Sequence, residues 1–457
     1  MCRYACSKVL LIALGCLVAS GCTSLSNNPD YLAQADSDRQ NVVSWSEMED
    51  GSETTYLNEL VNSGDLNALI AEARVANPDL RQTLLSLEIL RAQYRATQAD
   101  QLPDIDAGLG ASKTEHLDTA YTGTLTISWE LDLWQKISDE ASAAAGDVAE
   151  QLALYQAARD TLVAEVMQGW LQLINLNRSV AIEKQWVELL EQNEQWILQR
   201  YRSGLGDLED LDSAQSSAAS ARATLIAVQE SLQQQQRAMN LLLGRRQGST
   251  VIASDYPQVL APLTGLPDQT LQRRPDLKAA YMAIRANDIR TSVAYKDMLP
   301  SISLEAALSD TGTSPGDALL RNPVWSLLGQ LTAPLFRGGE LQANADAAEL
   351  TTAQSYQTYR ETLLTAVKEV EDAIGQESSL GNQQQQIESA LLSARRNYQQ
   401  YQQKYRKGLV SVLDLLDVQQ QTFDLESQLN DLTYERLSNR ITLGLALGLG
   451  IKETDQS

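Results

Sequence analysis

Thiols and imidazoles are nearly missing from this chain. Its four cysteines, Cys2, Cys6, Cys16 and Cys22, all lie in the first residues, so the body has no thiol for a disulfide framework, a thiolate metal site or a cysteine nucleophile. Histidine is reduced to His116, placed among polar residues of an expected hairpin loop, which removes the ordinary Ser-His-Asp arrangement and any metal site of His and Cys ligands. The six methionines form no cluster that would suggest a thioether copper relay. Positive charge is also scarce: 36 Lys and Arg against 59 Asp and Glu leave a net charge of -23. With no basic stripe for phosphate contacts, nucleic acid is excluded as a partner.

The start of the chain reads as a processing signal. Arg3 and Lys8 precede the apolar run Val9 to Leu14, which is too short for a transmembrane helix of roughly 20 apolar residues. The run ends Leu17-Val18-Ala19-Ser20-Gly21-Cys22-Thr23, and this resembles the lipobox of bacterial lipoproteins. Cys22 is then expected to become the acylated first residue, the covalent lipid being the only prosthetic group expected.

The body repeats itself. Pro78-Asp79-Leu80 recurs as Pro275-Asp276-Leu277, Leu102-Pro103 as Leu299-Pro300, and Tyr201-Arg202-Ser203-Gly204-Leu205 as Tyr405-Arg406-Lys407-Gly408-Leu409. Leu241 to Gly244 correspond to Leu445 to Gly448. Two duplicated halves account for this order. The expected organisation is a leader 1–21, an N-terminal segment 22–76, a first repeat 77–244, a connector 245–274 broken by Pro257, Pro262, Gly265 and Pro267, a second repeat 275–450 and a tail 451–457.

Each repeat opens with a helix, over 78–100 and 276–298, that carries Pro and Asp in its first turn. Two alternating segments follow. Tyr121, Gly123, Leu125, Ile127, Trp129 and Leu131 alternate with polar residues, and Ile105, Ala107, Leu109 and Ala111 form a weaker partner. The second repeat supplies Ile302, Leu304, Ala306 and Leu308, then Trp325, Leu327, Gly329 and Leu331. These four strands have the length a tilted membrane strand needs. Very long helices come next, with apolar seams such as Leu162/Val163, Val166, Trp170 and Leu173, and Leu391, Tyr398, Tyr401 and Tyr405. A helix over 138–200 would run about 90 Å, a spanning rod. The glutamine runs 233–236 and 383–386 read as solvated surface, with Gly375 and Gly381 as bend points in the second rod.

Four strands with an apolar outer face cannot stand alone in hydrocarbon, where only closed barrels pair every edge. Association with further copies is therefore expected, and three copies give twelve strands, an even number within the range of such barrels.

Four strings now carry a resemblance over nearly the whole chain: the lipobox at Cys22, Trp129-Glu130-Leu131-Asp132-Leu133-Trp134, Arg273-Arg274-Pro275-Asp276-Leu277, and Pro334-Leu335-Phe336-Arg337-Gly338-Gly339. In this order they resemble the TolC family of outer-membrane efflux proteins, in particular the lipid-anchored members serving resistance-nodulation-division pumps. The resemblance implies a mainly α fold with a β-barrel portion and a homotrimer. It also implies a twelve-stranded barrel in the outer membrane, a helical tunnel in the periplasm and a belt to which the connector contributes. The implied partners are a periplasmic adaptor, an inner-membrane pump and outer-membrane lipid. Where many relatives read Trp-Gly-Arg, this chain has Trp134-Gln135-Lys136, so a differently shaped turn is expected there.

The same resemblance assigns the periplasmic tips. Ser203, Gly204, Leu205, Lys407, Gly408 and Leu409 correspond to the adaptor-docking turns. Asp414 and Asp417 correspond to a periplasmic selectivity ring, Asp210 to a gate acid and Tyr405 to a gate tyrosine, while Val410 stands where some members have a gate arginine; Asp207 joins the gate and selectivity acids as the i,i+3 partner of Asp210. Rings of carboxylates favour cations. The i,i+3 acids also fit plain stabilisation of a helix N-terminus, worth about 0.3 to 1 kcal/mol.

Catalysis has little support. Gly108 to Thr114 faintly suggests a phosphate loop but lacks the Gly before Lys113 and leads to a strand. Carboxylate pairs at helix tips are not a glycosidase cleft. A structural coiled-coil lipoprotein would explain rods and anchor but not the strands, and a duct for polypeptide secretion remains the alternative within the same fold.

Overall fold

The computed structural model describes residues 29–45 and 56–452; Cys22 and the lipobox lie outside the described residues. The chain order is α1 Tyr31–Gln40, a 3-10 turn Leu57–Glu59, α2 Gly64–Ala76, α3 Pro78–Ala99, β1 Asp104–Ser112, β2 Ala120–Glu130, α4 Lys136–Arg202, α5 Leu208–Leu242, α6 Pro267–Arg273, α7 Pro275–Lys296, β3 Ser301–Gly312, β4 Val324–Thr332, α8 Glu340–Arg406 and α9 Val412–Ala446.

The duplication is strict in the rods. Helices α4 and α8 both have 67 residues and α5 and α9 both have 35. A 67-residue helix is about 100 Å long at 1.5 Å per residue. Helix α8 runs unbroken through Gly375 and Gly381. Each repeat starts at a proline in the first helical turn, and the two are capped differently. Asn77 accepts from Leu80 N at 2.9 Å and donates to Leu242 O at 2.9 Å. In its place Arg274 pairs with Asp276 and Glu369 and donates to Ala446 O.

The strands form one antiparallel sheet in the order β1-β2-β3-β4. The two hairpins are joined by β2–β3 pairing, with Leu125 opposite Leu308 and Ile127 opposite Ala306. Registers with β1 and β4 continue these rows to Ala107 and Ile105 on one side and to Trp325 and Leu327 on the other. Because the side-chain period is 2, one face is apolar across all four strands while Thr122, Thr124, Thr126 and Ser128 line the other. Strands β1 and β4 are each paired on one side and are exposed throughout. The loop after β3 lies over β2, where a Cβ at Gly123 would run into the Ala318 carbonyl.

The rods meet in a girdle of buried residues. Leu162, Val163, Val166, Trp170 and Leu173 of α4 join Tyr359, Leu363, Val370 and Ile374 of α8 and Ile441 and Leu443 of α9. Each fully buried side chain of this type stabilises by about 1.5–3 kcal/mol. The connector is fastened into this girdle. Tyr256 donates to Asn175 Oδ1 at 3.0 Å and lies within hydrogen-bond reach of Asn430 O and Oδ1. The Asn430 amide donates to Asn175 and to Ser179 Oγ, so a polar lock joins α4, α9 and the connector. Nearby, Glu377 of α8 accepts from Arg436 and Arg440 of α9, and Arg440 donates to Val259 O of the connector at 2.7 Å. The glutamine runs are not wholly solvated: Gln235 donates to Gly169 O at 3.2 Å and Gln384 accepts from Arg436 at 3.1 Å.

Around the girdle the helices pack in sequence. α3 lies on α4, α4 on α7 and α7 on α8; below, α5 lies on α4, α4 on α9 and α9 on α8. Among the described residues no helix is long and apolar enough to cross a membrane.

Candidate functional site

The far ends of the rods carry two matching turns. At the first, Leu205 N donates to Arg200 O and Gly204 N to Tyr201 O, both at 2.9 Å. At the second, Leu409 N donates to Lys404 O at 3.0 Å and Gly408 N to Tyr405 O at 2.9 Å. This pair of bonds is the Schellman termination, which demands a left-handed residue. Gly204 and Gly408 meet it at φ +71° and +70°. Arg200 and Arg202, and Lys404 and Arg406, place positive charge in the last turns, where the helix dipole is negative. Nothing of the same chain lies near either glycine's open face. Leu205 and Leu409 are 72% and 69% exposed, and Ser203 and Lys407 are exposed beside them.

The acids after these turns have local partners. Asp207 is the N-cap of α5 and accepts from Asp210 N at 2.9 Å. Helix α9 is capped by Ser411, whose hydroxyl accepts from Asp414 N while Asp414 Oδ2 accepts from Ser411 N at 2.8 Å and Oγ at 2.7 Å. These bonds from Ser411 hold the Asp414 carboxyl below the usual carboxylate range. The repeat register aligns Asp210 with Asp414, Asp207 with Ser411 and Ser213 with Asp417, so the two acid pairs do not superpose. Asp210 is half-buried, whereas Asp207, Asp414 and Asp417 are exposed. Tyr405 is half-buried against Ile197, Leu211 and Val412, which ties α8 to α4, α5 and α9 at the tip.

Asp417 opens onto a groove of about 590 Å³ between α4, α5 and α9, lined also by Glu183, Ser216, Thr224, Gln420 and Asp424. Its floor is the stacked pair Trp186 and Phe423. Burial and the facing charge of Asp424 raise the Glu183 carboxyl. Sequence reasoning missed this groove; its one local signal was the i,i+4 spacing of Trp186 and Leu190.

At the opposite end of the rods, Gln135 and its repeat counterpart Gly339 precede the two long helices. Gln135 adopts φ 59°, ψ 32°, the left-handed region that Gly339 occupies before α8. Asp132 closes this start by accepting from Ile137 N at 3.0 Å and Ser138 N at 2.8 Å, and Trp134 Nε1 donates to Pro300 O at 2.6 Å.

The family model described as Outer membrane efflux protein matches residues 69–245 and 266–449. The chain belongs to this family. Among curated relatives, the cation efflux system protein CusC of Escherichia coli is 30% identical over 397 residues, covering 84% of this chain and 86% of that protein. Outer membrane protein OprJ of Pseudomonas aeruginosa is 29% identical over 411 residues, 85% of each. A crystal structure of CusC aligns with a TM-score of 0.77 at 26% identity over 89% of this chain and all of that one. The protein is thus an outer-membrane efflux channel of the TolC type, with the sheet as its membrane portion and the rods reaching into the periplasm. The matched segments of this efflux protein flank residues 246–265, the connector stretch that carries Tyr256.

Proposed function

We propose that three copies of this chain form the exit duct of a tripartite efflux system, held in the outer membrane by the barrel and by a lipid on Cys22. The carrying observation is the sheet, whose outer strands β1 and β4 are each paired on one side and whose apolar face runs across all four strands. In hydrocarbon each unpaired backbone group costs several kcal/mol, so the edges must be closed by other copies. Three sheets of four strands make an even-numbered barrel.

The duct is passive: an inner-membrane pump supplies energy and selects cargo, and a periplasmic adaptor bridges the two. The adaptor meets Ser203, Gly204, Leu205, Lys407, Gly408 and Leu409, among which Leu205 and Leu409 expose apolar side chains at the tips. Three-fold repetition turns Asp207, Asp210, Asp414 and Asp417 into rings that favour cations over anions. Tyr405 packs between the hairpins and sets how far they part at the gate. The test is heat-modifiable migration of the purified protein together with single-channel conductance in planar bilayers. A trimer that conducts is expected, and a protein that neither trimerises nor conducts ends the reading.

A further inference from the structure

The groove between the two hairpins has a chemistry that a passive conduit does not require. Helices α5 and α9 both pack on α4 and leave between them a groove of about 590 Å³, a volume within the range of sites for drug-sized molecules. Its floor is the stack of Trp186 on Phe423, of which Trp186 is buried and Phe423 half-buried. Three carboxylates, Glu183, Asp417 and Asp424, stand around this floor, while α5 brings only Ser, Thr and Ala side chains. No Lys or Arg lines the groove. Among the described residues none of the three acids is ion-paired, and Asp424 accepts only from the Gln420 amide, at 2.6 Å. On the same α4 face, at i+3 from Leu190 and i+7 from Trp186, Asn193 is 6% exposed and its Nδ2 has no partner among the described residues. An unused donor thus lies one turn beyond the floor.

These features are not a product of the duplication. The rods are related by a shift of 204 residues (Arg202 to Arg406) and the opening helices by 197 (Pro78 to Pro275). Carried through the rod shift, Glu183, Trp186, Asp417, Phe423 and Asp424 become Ile387, Ala390, Ser213, Ala219 and Ser220. The counterpart positions carry neither acid nor aromatic ring, although the helices that bear them are equal in length.

We infer that this groove is a binding site for an amphiphilic organic cation, whose planar apolar body lies on Trp186 and Phe423 and whose charge sits beside Glu183 and Asp424. An aromatic floor attracts a cation through the ring quadrupole and takes its apolar body out of water. The carboxylates supply a field that a neutral molecule or an anion of the same shape does not match. Burial and the facing Asp424 raise the Glu183 carboxyl, and a cation placed beside the two offsets their repulsion. A small hydrated metal ion would leave the rings unused. Asp417 belongs both to the rim of this groove and to the proposed acid ring, so groove and ring adjoin. A role for the groove as a station for cargo rests on the duct reading, whereas binding itself does not.

The test titrates ethidium, a planar monocation, into the full-length protein in a non-ionic detergent and follows its fluorescence anisotropy. Saturable binding at a single site per chain is expected, with no binding of anilinonaphthalene sulfonate, an anion of similar size. Glu183→Gln and Asp424→Asn keep the shape of the parent side chains. Each is expected to weaken ethidium binding about tenfold and to retain the heat-labile trimer. Phe423→Leu is expected to weaken it too. Glu188→Gln removes an exposed charge of α4 outside the groove and is expected to bind as the parent does. Absence of saturable binding overturns the site, as does an equal loss in Glu188→Gln. Binding that survives Glu183→Gln with Asp424→Asn but is lost in Asp414→Ala with Asp417→Ala assigns the cation to the acid ring and also overturns it. A protein that binds ethidium in the groove and never conducts ends the duct reading and leaves the site standing.

Discussion

The indole of Trp186 in α4 stacks on the ring of Phe423 in α9, centroids 5.1 Å apart and planes inclined by 21°. The repeat counterparts of this pair are Ala390 and Ala219, so the aromatic joint between hairpins exists once per chain. Such a pair contributes about 0.5–1.5 kcal/mol beyond its burial.

Trp186→Ala removes the stack and a buried side chain, a change that typically costs about 3–5 kcal/mol. Faster amide exchange is expected over 183–190 and 416–424, with the girdle near Val166 and Ile441 unchanged. Equal exchange in both regions of variant and parent would show that the stack does not couple the hairpins.

Gly408 sits at φ +70° with open space around it. Gly408→Ala is expected to cost about 1–2 kcal/mol, the usual strain of a Cβ in this conformation, visible as local exchange at the turn. A bulky residue at the same place should leave trimers intact and abolish efflux of a test substrate. Normal efflux would remove this turn from the docking surface.

Asp414→Ala with Asp417→Ala should lower cation preference in a reversal-potential measurement. Ser411→Ala serves as the control, because it breaks the capping box and leaves both charges. If the control shifts selectivity as much as the double variant, the acids act through helix capping and not as a filter.

Asp160 is buried in α4, and burial pushes its carboxyl up to about 6, against the opposing charges of Arg159 and Arg74. Its folded value lies above the unfolded value of about 3.9, so the folded state favours the protonated form. Stability therefore falls as pH rises from about 4 to about 6 and levels off above. Asp160→Asn is expected to be more stable than the parent at pH 7 by up to about 3 kcal/mol, with the advantage vanishing near pH 4. Denaturant midpoints at the two pH values check this.

Strands, rods and glycine turns were readable in the sequence because each rests on a local rule: alternation for Tyr121 to Leu131, three-and-four spacing for Leu162 to Leu173, and a left-handed requirement at Gly204 and Gly408. The union of the hairpins through Leu125 and Leu308 was not, since no local pattern selects a partner strand far along the chain. Single polar residues such as Asn175, Tyr256 and Asn430 carry no periodic signal, and their lock forms only when the connector meets two rods. Gln135 hid a left-handed turn because its residue type does not advertise one. At the tips the acids were visible and the Ser411–Asp414 capping box is a local pattern, but the groove beside Asp417 was not, because Glu183 reaches it only when α4 packs on α9.

The equal counts of 67 and 35 residues have a consequence for how this chain tolerates change. One residue added to a rod turns everything beyond it by about 100°, which would carry Trp186 off Phe423 and set the two mouth turns at different depths. Residues added between β3 and β4 disturb neither phase nor depth. The longer second hairpin, with a shift of 204 after it against 197 before, shows where the two halves have drifted apart. Across homologues, gains and losses of length should accumulate at the outward loops and leave the rods as a fixed gauge.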